Sequence, residues 1–237
     1  MLSPQLPYSR VYVNTGDPIE EENLMEFRLL YEGPLFATGG SNTRPAHKHD
    51  IRRAFHPQLR RLWKVKTNLQ AYARFVRVQA IASPSLAELH KHDIQEPFEV
   101  AGIMALSKIW TRAGYDLVPL VTPELSLRCS LDILILRPGE NQFVFTQGDL
   151  DGQVKTLFDA LRIPDSLAEA GGMGPQEDET PFFCLLQDDK LVSEVRVTSD
   201  ELLMLPHHKQ VDANDCFAVI HVRLNNKEAR TFDNYFG

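Results

Sequence analysis

Four aspartates and a lysine in this chain have the types and spacing of a site that handles phosphate. Gly148-Asp149-Leu150-Asp151-Gly152 sets two carboxylates two residues apart, and in extended backbone such residues project to the same side. Asp149 and Asp151 can therefore offer two hard oxygen ligands to one Mg²⁺ or Mn²⁺ ion. Asp188-Asp189, in a later strand-like stretch, supplies a third carboxylate if its strand neighbours the first. Lys155 follows Asp151 by about one helical turn, so its ammonium reaches the same cluster. Such a set suits phosphodiester hydrolysis, in which metal activates water and stabilises the leaving oxygen while lysine orients water or neutralises phosphate. The same residues also fit plain structural duties. Asp151 reads as a helix cap, Asp149 as a turn residue, Asp151, Lys155 and Asp159 as helical ion pairs, and Asp188-Asp189 as a hairpin turn.

The longer string from Asp149 to Leu161 (DLDGQVKTLFDAL), followed by Asp188-Asp189-Lys190-Leu191-Val192, resembles the signature of the RusA family of Holliday junction resolvases: D-x-D-N-x-x-K, then D-A-L, then D-D-x-x-V. The resemblance runs from Gly148 to Arg196, with a weaker echo in an N-terminal strand followed by Gly33-Pro34. It implies a small α+β domain with a mixed sheet, usually a homodimer, that cuts four-way DNA junctions with Mg²⁺. Carried over by position, the metal-binding carboxylates fall on Asp149, Asp151 and Asp189, with Asp188 beside the last. The family's lysine falls on Lys155, and Asp159 takes the part of supporting the helix and Lys155. Two features depart from the pattern: Gly152 stands where the family usually has Asn, and the segment between Asp159 and Asp188, an insertion over 160–187, is much longer than usual. The long insertion and the acidic remainder of the chain motivate a second expectation, a RusA-like fold kept as a non-cleaving DNA-binding or protein-interaction component of a mobile-element or phage-related system.

The elements that must carry these residues follow from apolar periodicity and turn residues. Met25 to Tyr31 reads as a strand leading into a long exposed Gly/Pro/Ser/Asn-rich loop, Glu32 to Pro45. From Ala46 a helix is expected, with Ile51, Phe55, Leu59 and Leu62 at spacings of three and four and His56-Pro57 kinking or dividing it. Pro97 to Ala113 is a second helix, stopped at Gly114. Asp116 to Val121 and Leu125 to Leu136 read as strands split by Thr122-Pro123, and Gln142 to Gln147 as a short segment before the acidic motif. Gly152 to Arg162 is a helix with Val154, Leu157, Phe158 and Leu161 on one face. Residues 169–180 are too polar and Gly-rich for core and are expected to be a mobile loop. Phe182 to Gln187 and Leu191 to Thr198 flank Asp188-Asp189 as strands, and Cys216 to Leu224 is a final strand. Strands and helices without regular βαβ alternation indicate α+β, here a single elaborated domain over 1–237 with a mixed sheet, packed helices, extra N-terminal helices and a long insertion.

The formal net charge of −7 argues at first against a nucleic-acid partner. The distribution does not: residues 44–77 hold ten basic residues against one acid. Arg44, Lys48, Arg52, Arg53, Arg60, Arg61, Lys64 and Lys66 make a candidate DNA-binding surface, with a merely solvated helix face as the plain alternative. His47, His49 and His56 are expected on the same surface, and Phe55 and Trp63, at helical spacing, in the core. The HKHD strings at His47 and His90 and the His207-His208 pair have weak zinc-ligand spacing. Cys129, Cys184 and Cys216 form no CxxC pair and are expected to be reduced core residues. No apolar run approaches the roughly 18 residues of a membrane helix, and no secretory pattern opens the chain, so no membrane partner and a cytoplasmic location are expected. Walker, GxGxxG and GxSxG motifs are absent, which leaves nucleotide hydrolysis, dinucleotide redox and serine-hydrolase chemistry without support.

Overall fold

Alternation of side chains builds the main sheet. In β3 (Leu127–Arg137) residues 127, 129, 131, 133 and 135 are buried, and β6 (Asp215–Asn226) buries 216, 218, 220, 222 and 224. Each strand therefore gives one face to the core and one to the outside. The computed structural model describes residues 25–38, 43–71, 73, 98–125, 127–138, 150–203, 212 and 214–226. With β1 (Met25–Pro34) and β5 (Val192–Glu201), β6 and β3 form a four-stranded mixed sheet in the order β1-β6-β3-β5. β1 and β3 run antiparallel to β6, and β5 runs parallel to β3.

β2 (Leu117–Val121) and β4 (Phe182–Leu186) make a separate parallel pair, and all five residues of each are buried. Strands covered on both faces read as continuous apolar runs, which is how LVPLV and FFCLL appear. The chain leaves β2 through a short 3₁₀ turn, Pro123–Leu125, and enters β3; it leaves β4 through a second, Asp189–Leu191, and enters β5. The result is an α+β arrangement with a mixed sheet.

α1 (Pro45–Val65) starts with proline at its first turn, where the missing N–H costs nothing. Ile51, Phe55, Leu59 and Trp63 are at most 1% exposed and share one buried cluster with β3, β4, β6 and α3 (Leu150–Leu161). Pro57 lies inside α1 without dividing it. Its ring removes one helical hydrogen bond, a cost of about 3 kcal/mol. Phe55 on one side of it and Leu59 on the other are anchored in the same core, and each contributes roughly 1.5–3 kcal/mol by burial. The Gln58 amide adds a second tie, accepting from the Leu30 N–H at 2.9 Å and donating to the Leu30 carbonyl at 2.6 Å. α2 (Phe98–Ile109) is followed by a turn through Ala113 and Gly114, both with positive φ.

One loop expectation is corrected. β1 runs on to Pro34, and beyond it Leu35 and Thr38 are 0% and 6% exposed, so the chain there is packed against α3 rather than out in solvent. Within residues 169–180, residues 172–178 are exposed, while single residues near the two ends of the stretch are held. Ala170 is 0% and Glu179 4% exposed, Tyr115 donates to the Met173 carbonyl, and Glu179 pairs with Arg53. Glu179 is a polar residue of this stretch that meets a basic partner inside the fold. The three cysteines are free and buried, and burial pushes the Cys129 and Cys184 thiols up to about 12. No described helix is long and apolar enough to cross a membrane.

Candidate metal and nucleic-acid site

Asp151 stands in the first turn of α3 and Lys155 one turn on, both exposed. They share one helix face as their spacing requires. Asp151 is helical rather than extended, so the side-by-side projection expected for an extended Asp-x-Asp does not apply to it; Asp149 lies outside the described residues.

The first turn of α3 is fixed by its neighbours. Thr38 donates its N–H to the Gly152 carbonyl at 3.1 Å, and its hydroxyl donates to the same carbonyl at 3.3 Å. The hydroxyl of Thr156, a fully buried residue, lies 2.8 Å from the Phe36 carbonyl, 2.9 Å from that of Gly152 and 3.2 Å from Thr38 Oγ1. A Cβ on Gly152 would lie 2.8 Å from the Thr38 carbonyl oxygen and 3.0 Å from Ala37 Cβ. Asparagine, which the resembled signature carries at this position, has no room. Arg137, at the end of β3, donates to Gln153 Oε1 at 2.7 Å, which places the α3 N-terminus at that end of the sheet.

Asp188 and Asp189 sit elsewhere. The 3₁₀ turn Asp189–Leu191 leads directly into Val192, which pairs with Cys129 near the start of β3. At ~3.3 Å per residue, β3 puts about 26 Å between Cys129 and Arg137. The other end of α3 agrees: Ile163 donates its N–H to the Leu186 carbonyl at 2.9 Å, just before Asp188. Asp151 is then about 16 Å up the helix axis. Asp188 accepts from the Lys190 N–H at 3.0 Å, and that bond holds its carboxyl below the usual range, with Lys190 and Arg162 adding to it. This is a capping role. The hairpin reading fails as well, since β4 and β5 belong to different sheets. Two carboxylates on one Mg²⁺ must each come within about 2.1 Å of it, so Asp189 does not share an ion with Asp151 in this arrangement. Among the described residues no three histidines, cysteines or carboxylates stand close enough together to hold a metal. Of the two carboxylates in the Asp-x-Asp string, Asp151 is described and exposed.

No family model, curated protein or solved structure matches the chain. Its chemistry is therefore read from where the side chains stand.

The basic segment divides in two. Arg52 is 1% exposed and Lys48 8%. Arg52 donates to the carbonyls of Asp159 at 2.6 Å and Arg162 at 3.0 Å, capping the C-terminal end of α3. Lys48 pairs with the Asp159 carboxylate at 2.6 Å, and Arg162 lies 3.7 Å from the same group. Asp159 thus serves α1 and its own helix end, not Lys155. Arg53 is held by Glu179 at 2.6 Å. Arg44, in left-handed backbone, donates to the Ala37 carbonyl at 3.3 Å and lies over the Phe36 ring. Arg52 and Lys48 are interior residues and not a DNA-facing surface. Arg60 is half-buried, Arg61 and Lys64 are exposed on the C-terminal half of α1, and Lys66 is exposed at its C-cap. Arg74 and Arg77 lie outside the described residues.

The histidines were also misplaced by composition. His49 is 1% and His56 4% exposed, and His47 is half-buried near the Phe36 N–H. His49 Nδ1 accepts from Arg52 Nη1, so Nε2 carries the proton and donates to Tyr115 Oη, each at 3.1 Å. His56 Nδ1 accepts from the Phe183 N–H at 2.9 Å, and Nε2 donates to the Asp178 carbonyl at 3.2 Å. Burial, with Arg52 adding to it, pushes His49 down to about 4. Both imidazoles are neutral bridges within the core. The second HKHD string and His207-His208 lie outside the described residues. Sequence reasoning missed the Thr38–Gly152–Thr156 contact; the spacing of Gly152 and Thr156, two small residues one helical turn apart, was its only signal.

Proposed function

We propose that the chain is a RusA-like, Mg²⁺- or Mn²⁺-dependent endodeoxyribonuclease that acts on branched DNA and works as a homodimer. The observation that supports it is the exposed Asp151–Lys155 pair on the first two turns of α3, in the string that resembles the family signature. When bound there, the metal supplies Lewis-acid activation of water and of the scissile phosphate. Asp151, with Asp149 two residues before it, holds the ion, and Lys155 lies within one helical turn to neutralise the phosphate. DNA backbone is met by Arg60, Arg61, Lys64 and Lys66.

The position of Asp189 favours a second reading, the non-cleaving DNA-binding or protein-interaction component, because among the described residues Asp189 stands far from Asp151. Cleavage of labelled four-way junction, flap and linear duplex with Mg²⁺, Mn²⁺ or EDTA decides between them. The first reading expects metal-dependent cutting that Asp151→Asn abolishes and Asp189→Asn leaves within a few-fold of wild type. Binding without cutting on every substrate would establish the second. If both variants abolish cutting while staying folded, the carboxylates meet in another conformation.

A further inference from the structure

The most tightly specified contact near Asp151 is not acidic. The Thr156 hydroxyl is fully buried and faces three oxygens within 3.2 Å, on Phe36, Thr38 and Gly152. It has one proton to give, which can go to the Phe36 carbonyl, to the Thr38 hydroxyl or back to the Gly152 carbonyl. Only the contacts with Phe36 and Thr38 join the chain leaving β1 to α3; the bond to Gly152 stays within the helix. Thr38 meets the same turn from its own N–H. Gly152 makes this approach possible, since any side chain there collides with the Thr38 carbonyl.

Resting on the nuclease reading above, we propose that Thr156 is a positioning residue for Asp151: it clamps residues 35–38 onto the α3 first turn and so fixes the direction in which the Asp151 carboxylate leaves the helix. Asp151 is the residue immediately before Gly152, and Lys155 immediately precedes Thr156. The clamp therefore holds the backbone next to both exposed groups while the groups themselves remain in solvent. A shift of about 1 Å in such a turn costs as much as a hundredfold in rate, with no change in the surface that binds DNA.

The test compares Thr156→Val, which keeps the shape and removes the hydroxyl, with Thr156→Ser, which keeps the hydroxyl. Three quantities are read in the full-length protein: the single-turnover cleavage rate at saturating junction, the junction Kd in EDTA, and the exchange rate of the Thr38 amide. The expected result for Thr156→Val is cleavage about ten- to a hundredfold slower, a Kd within twofold of wild type, and faster Thr38 exchange, all returned by Thr156→Ser. Wild-type cleavage by Thr156→Val overturns the proposal and leaves the nuclease reading standing, as does a Thr156→Ser variant as slow as the valine variant. A wild-type protein that cuts no substrate removes the nuclease reading and this proposal together.

Discussion

Arg52 Nη2 donates to the backbone carbonyl of Asp159 at 2.6 Å, from a side chain that is 1% exposed. A guanidinium rarely enters a core unless its donors are satisfied. Here Nε reaches the Arg162 carbonyl and Nη1 reaches His49. The α3 C-terminus offers it partial negative charge, and burial still lowers its pKa. Replacing Arg52 with Met leaves these carbonyls unpaired, and replacing it with Lys loses the planar fork. Both variants should lose about 2–4 kcal/mol in urea unfolding. A loss under 0.5 kcal/mol would show that the carbonyls find water instead.

What could be read from the sequence follows from apolar runs and periodicity. Aliphatic and β-branched runs bounded by turn residues marked β3 and β6, and the spacing by four and three of Ile51, Phe55, Leu59 and Leu62 marked α1. Residue type could not say which end of β3 each loop reaches. Asp188-Asp189 looked like a partner for Asp151 because the resembled signature joins them and a neighbouring strand would bring them together, but pairing register sends them to opposite ends of one strand. Basic residues failed for a related reason. Composition counts Lys48, Arg52 and Arg61 alike, while the helix phase puts the first two against α3 and the last in solvent.

DNA binding should therefore depend on only part of the basic segment. Removing one cation that neutralises a phosphate makes the slope of log K against log salt shallower by about 0.9. Alanine at Arg61, Lys64 and Lys66 together should reduce the measured slope by about 2–3 and weaken all sequences alike. Lys48→Met should leave the slope unchanged wherever it folds, since its ammonium is engaged by Asp159. An unchanged slope in the triple variant would move the DNA surface off α1.

Stability should fall in mild acid. His49 is pushed down to about 4, and burial also lowers His56 and His47. Unfolded histidine titrates near 6.5. Between that value and about 4 the unfolded chain binds a proton that folded His49 does not, so its contribution is complete above pH 6.5 and is lost as pH falls. The slope is at most about 1.4 kcal/mol per pH unit for each such group. Urea midpoints at pH 7.5 and 5.0 measure it, and His49→Gln, which removes one titrating group, should flatten the difference. Equal midpoints for wild type at both pH values would contradict the buried, neutral assignment.

Gly152 brings helix propensity and packing into direct opposition. Glycine within a helix costs about 1 kcal/mol relative to alanine, so propensity alone makes Gly152→Ala stabilising. The alanine Cβ, however, would stand 2.8 Å from the Thr38 carbonyl oxygen, a backbone atom that cannot rotate away. Relieving that clash means breaking the two Thr38 bonds to Gly152 or tilting α3 against a core in which Leu157, Ala160 and Leu161 are already filled. Overpacking of this kind costs about 1–3 kcal/mol, more than propensity returns. Gly152→Ala should therefore lower the Tm, and Gly152→Asn, the residue the family signature carries, should lower it further. Thermal unfolding of the two variants settles the sign: a raised Tm for either would mean that residues 35–38 yield easily, and the clamp on Asp151 would lose its physical basis.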